Sequence, residues 1–161
     1  MPIKDNIKLV EEPEWEIGTF VDDFGDPTDR KFIKHFSVGD YSNSAVIGRT
    51  LCAKIYVTKT AIGIILIEDC SRPYEKFIGC GTIKLKNSEG QRLELTSCRE
   101  WSHEGGLHLS DSKSYPDYTK FKKFIMKSKD DIRVVITDRY SSTYKFSFSA
   151  NGFNKQFAAI K

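Results

Sequence analysis

Over most of its length the chain alternates apolar and polar positions at period two, the pattern of strands that bury one face. The first two such runs are "WEIGTFV" (15–21) and "KFIKHFS" (31–37), the second with Phe32 and Phe36 in step. "TLCAKIYVT" (50–58) sets Leu51, Ala53, Ile55 and Val57 on one face. "AIGIILIED" (61–69) is an almost unbroken apolar run, as a strand covered on both sides would be, and Lys59 and Thr60 before it read as a hairpin turn. A second hairpin is expected from Ile83 and Leu85, through a turn around Glu89, to Leu93 and Leu95. Trp101, Gly105-Gly106, Leu107 and Leu109 predict a third.

Helical spacing comes late. Pro116 or Asp117 opens a helix near 116–128, with Phe121, Phe124 and Ile125 on one face. "DIRVVITDRY" and "STYKFSFSA" then return to alternation, aligning Tyr144, Phe146 and Phe148. A short C-terminal helix carries Phe153, Phe157 and Ile160 on one side. With about nine strands and two helices, the expected fold class is all-β with minor helices: a single domain, 1–161, built as a two-layer antiparallel β-sandwich. A single closed barrel is the alternative.

Composition fits this picture: 161 residues suffice for one core, and 39% hydrophobic with 29% charged residues describes a folded soluble chain. No run is long and apolar enough for a signal peptide or a membrane span, so a cytoplasmic location is expected. Cys52, Cys70, Cys80 and Cys98 form no CxxC pair and are expected to be reduced thiols in that compartment. The net charge of +3 is unevenly spread: from Lys120 onward ten basic residues face three aspartates, whereas the part before carries fifteen basic and nineteen acidic residues.

Candidate chemistry is sparse. Asp22, Asp23, Asp26 and Asp29 in "FVDDFGDPTDRKF" (20–32) could hold a hard cation, but they lack the spacing of an EF-hand loop. They read instead as an inter-strand loop bent by Gly25 and Pro27 and anchored by Phe24, and as partner-binding candidates. His103 and His108 bracket "EGGL" beside Glu104 without a visible third ligand. No G-x-S-x-G elbow occurs, and "GCG" (79–81) lacks the lysine and helix of a phosphate loop. Lys120, Lys123 and Lys127 form a basic stripe on the predicted helix and are polyanion-binding candidates, widened by Lys122 and Lys129 and followed by Arg133, Arg139 and Lys145.

Trp15, "DDFGDPT" (22–28), "YSNSA" (41–45) and the closing "YKFSFSANGF" together resemble a pattern in small, uncharacterised bacterial and phage-type all-β proteins. That resemblance implies a β-sandwich and no established activity or site residues. The reading that follows is a protein-interaction module without metal or cofactor, its partner another protein, with a homo-oligomer left open. A nucleic-acid-binding protein using the basic C-terminal face is the alternative, and a metal-dependent hydrolase the third reading.

Overall fold

The computed structural model describes residues 15–73, 81–97, 106–138 and 141–160. Ten strands and two helices follow in the order β1 (Glu16–Val21), β2 (Pro27–Ser42), β3 (Arg49–Val57), β4 (Ala61–Glu68), β5 (Arg72–Pro73), β6 (Gly81–Asn87), β7 (Arg92–Ser97), β8 (Gly106–Ser110), α1 (Asp117–Lys127), β9 (Asp131–Thr137), β10 (Thr143–Ser149) and α2 (Phe153–Ala159). All are antiparallel and belong to one sheet, ordered β5-β4-β3-β2-β10-β9-β6-β7, with β1 added to β2 and β8 to β4.

This sheet is a curled half-barrel rather than the expected two-layer sandwich. The reason is β2, sixteen residues long, which serves as a common spine. One edge pairs with β3 from Ile33 to Tyr41; the other pairs with β1 up to Lys34 and with β10 from Asp40. Both halves of the sheet are thereby joined through hydrogen bonds. Where a second sheet would sit, the helices cover the core face: Phe121 of α1 stacks on Phe148 of β10 at 6.4 Å, and Trp15 lies against Phe148 and Phe153.

The alternation assigns the faces as anticipated on β3, β6, β8 and β10 but not on β2. Leu51, Ala53, Ile55 and Val57 are buried, as are Ile83, Leu85, Leu107, Leu109, Tyr144, Phe146, Phe148 and Phe153. Each large apolar side chain withdrawn from water contributes roughly 1.5–3 kcal/mol. On β2 the core face is carried by Ile33, Ser37 and Tyr41, so Phe32 is only half-buried and Phe36 is exposed. Polar atoms inside are matched: the Trp15 indole N–H donates to the Ser149 carbonyl at 2.7 Å, and the Asn87 amide bonds both its own turn and Ser128. The third hairpin expected around Trp101 lies outside the described residues, but Leu107 and Leu109 sit on β8, which adds to β4.

The cysteines require a correction. Cys52 and Cys70 form a disulfide, tying β3 to the turn after β4, where Asp69 and Cys70 both adopt left-handed φ near +55°. The bond closes a loop with a sequence separation of 18. Sequence offered no such pairing, because contact between the two sulfurs follows from the β3–β4 register and the turn beyond it. Cross-links of this kind persist in oxidising compartments, so the expectation of reduced thiols fails for Cys52 and Cys70. Among the described residues no helix is long and apolar enough to cross a membrane.

Candidate functional site

The face of the sheet turned away from the core is organised in rows, because paired residues on antiparallel strands stand side by side. Thr96, Thr82, Thr137, Thr143 and Ser42 form a hydroxyl row across β7, β6, β9, β10 and β2. The next row is Glu94, Lys84, Val135, Lys145 and Asp40. The third is Arg92, Lys86, Arg133 and Ser147. The last two rows and Val38 line a groove of ≈ 860 Å³, opening where β2 and β10 part.

Three features distinguish the groove. Lys86 stands directly opposite Arg92 on one side and Arg133 on the other, and such like-charged cross-strand pairs are destabilising. The ion pairs of the described residues, Lys34–Glu16 at 3.8 Å and Arg49–Asp69 at 2.9 Å, lie elsewhere and neutralise none of the three. Finally, the groove is not uniformly polar: Val135 separates Lys84 from Lys145, and Val38 is 60% exposed at the rim, two residues from exposed Phe36. Gly39 is required at the point where the strands part, since a β-carbon there would fall 1.9 Å from the Lys145 carbonyl oxygen.

Of the residues singled out from sequence, Arg133 and Lys145 belong to this groove. Lys120, Lys123 and Lys127 are exposed on α1, which covers the core side of the sheet, so the helical stripe and the groove face opposite ways. Lys122 lies over the rings of Tyr118 and Phe157 at 5.0 and 5.5 Å. Arg139, His103 and Glu104 lie outside the described residues; His108 is on β8. Lys84, Lys86 and Arg92 went unremarked in sequence, although a turn centred on Glu89 already sets Lys86 against Arg92.

The four aspartates occupy the tip of the β1–β2 hairpin. The Asp22 carboxylate accepts the backbone N–H groups of Phe24 and Asp26, both at 2.9 Å, and Gly25 takes φ +84°, so this is an Asx-stabilised turn. Asp23, Asp26 and Asp29 remain exposed, and among the described residues no group of three His, Cys, Asp or Glu side chains is arranged to hold a metal. Phe24 does not anchor the loop: it is 91% exposed. The turn is closed by Asp22 and the strand pairing, leaving the phenylalanine free to point outward.

A polar cluster near the disulfide is internally matched. The Tyr41 and Tyr144 hydroxyls donate to Asp69 and Glu68 at 3.1 and 2.9 Å, and Arg49 pairs with Asp69. At the start of α1, Asp111 accepts both the backbone N–H and the hydroxyl of Thr119, which holds its carboxyl below the usual range. Comparison with protein-family models, curated proteins and solved structures finds no match to this chain.

Proposed function

We infer that the chain is a protein-interaction module whose groove on β7, β6, β9, β10 and β2 receives a partner segment carrying acidic and apolar side chains together. The observation that carries this reading is the row Arg92–Lys86–Arg133, three adjacent cations without an ion-pair partner among the described residues, beside the exposed apolar surface of Val38. A face that is electrostatically unfavourable alone becomes favourable when carboxylates arrive. Arginine next to apolar surface is also the composition of protein interfaces. Nucleic acid is the less suited ligand, because the groove offers valines rather than exposed rings on which bases could stack.

The test is fluorescence anisotropy with a labelled peptide of alternating acidic and aromatic residues, a polyglutamate of equal charge and a single-stranded oligonucleotide. The peptide is expected to bind most tightly, to weaken with salt, and to lose at least tenfold in affinity with Arg133→Glu. Tightest binding of the oligonucleotide, or peptide binding indifferent to Arg133→Glu, overturns the reading.

A further inference from the structure

We propose that the occupant of the groove is the β1–β2 hairpin tip of a second copy of this chain, so that copies join head to tail. The inference rests on the groove reading above and names its partner. The tip is acidic and aromatic: Asp23, Asp26 and Asp29 are exposed around a phenylalanine that is 91% exposed. The groove is the complement through its excess of cations, with Lys84, Lys86, Arg92, Arg133 and Lys145 against Asp40 and Glu94, around Val38 and Val135.

The tip is also presented for docking. β3 ends opposite Ile33, so among the described residues Phe32, Lys31 and, beyond a bulge, Pro27 of β2 pair only with β1, and the hairpin projects beyond β3 as a two-stranded arm. Such a ribbon is marginal in isolation, but this one is braced. Phe32 lies between Phe20 and Tyr56 at 4.9 and 5.5 Å and over Gly18, where a β-carbon would meet its ring at 2.3 Å. Arg30 sits over the Phe20 ring at 4.9 Å, and the Thr28 hydroxyl donates to the Phe20 carbonyl at 2.7 Å. An exposed aromatic held at the end of a braced arm makes contact at a smaller entropic cost than one on a loose loop.

Docking within one molecule is excluded by the strand itself. Tip and groove lie toward opposite ends of β2, and the run from Pro27 to Val38 spans up to roughly 36 Å at ~3.3 Å per residue. The tip therefore reaches only another copy. Because the two surfaces differ, the contact is heterologous, and a docked pair still offers one free tip and one free groove. Association continues into an open chain or closes as a ring.

Sedimentation velocity on the full chain tests this, using the wild type, a tip variant (Asp23→Lys with Asp26→Lys), a second tip variant (Phe24→Ser) and a groove variant (Lys86→Glu with Arg133→Glu). Asp22 and Gly25 are retained so that the turn still forms. The wild type is expected to sediment as species larger than a monomer at low salt and to dissociate as salt rises. Each variant alone should stay monomeric, and an equimolar mixture of the Phe24→Ser and groove variants should give a dimer and nothing larger, since only one intact tip and one intact groove remain and the altered pair sets aspartates against glutamates. A wild type that stays monomeric at millimolar concentration in low salt, or a Phe24→Ser variant that associates like the wild type, overturns the proposal. If the acidic peptide still binds the monomeric wild type, the groove reading stands and only self-docking fails; if neither occurs, both fall.

Discussion

Replacing Lys86 by Glu should strengthen the fold while removing binding, a combination that a structural role for the lysine does not produce. Lys86 is flanked across the ladder by Arg92 and Arg133. Strands lie about 4.8 Å apart, and head groups splayed to ~6 Å interact by roughly 0.7 kcal/mol each in a water-like dielectric. Like-charged pairs opposite one another are destabilising by about 0.2–1 kcal/mol. The substitution removes two repulsions and creates two attractions, so the nominal gain is about 3 kcal/mol, reduced to ~1 kcal/mol by screening at 0.1 M salt. For a chain of this length that corresponds to a rise in Tm of about 2–4 °C. Denaturant titration at low and at high salt reads the effect directly: the gain should shrink as salt rises, while peptide affinity falls at least tenfold. A Lys86→Glu protein that is destabilised at low salt, or that binds the peptide as before, refutes the reasoning.

Other parts of the fold make independent predictions. The Tyr118 hydroxyl donates to the Thr58 carbonyl at 2.7 Å, and burial pushes its pKa up to about 12 from 10.0. Because the folded protein holds this proton more tightly than the unfolded chain, the associated stability is intact below pH 10 and lost as pH rises towards about 12. Tyr118→Phe should be destabilised by about 1 kcal/mol at neutral pH and should lack that alkaline component in pH-dependent denaturation. Reducing the Cys52–Cys70 disulfide, or making both positions Ala, should lower stability by roughly 3 kcal/mol from loop closure, seen as a lower urea midpoint. Gly39→Ala should part β2 from β10, because the added methyl meets a backbone carbonyl that cannot rotate away; circular dichroism melting should show a fall of more than ~2 kcal/mol, and peptide binding should weaken with it.

Which residues face the core was legible because period-two alternation depends on burial alone: Leu51 to Val57 and Tyr144 to Phe148 behave as their spacing indicates. The arrangement of strands was not, since alternation names a buried face without naming the neighbour that buries it. A sandwich and a curled sheet closed by helices give the same pattern along each strand. The disulfide escaped for a related reason, as Cys52 and Cys70 meet only once β3, β4 and the left-handed turn at Asp69 are in place. The groove lay half in view. Arg133 and Lys145 were grouped with the helical lysines because they follow them in sequence, yet β9 and β10 turn them to the opposite side of the sheet. Lys86 joined them only through pairing with Arg133, which lies far away along the chain. The acidic tip was visible from the start, but the exposure of Phe24 depends on the Asx turn at Asp22.

The basic groove, and not the lysine stripe of α1, is the face proposed to receive an acidic and apolar partner segment. Amide chemical-shift mapping of the full chain titrated with the acidic–aromatic peptide tests it most directly. Saturable shifts are expected at Val38, Lys84, Lys86, Arg92, Arg133 and Lys145, with Lys120, Lys123 and Lys127 unmoved. Shifts centred on α1, or none at saturating peptide, contradict it.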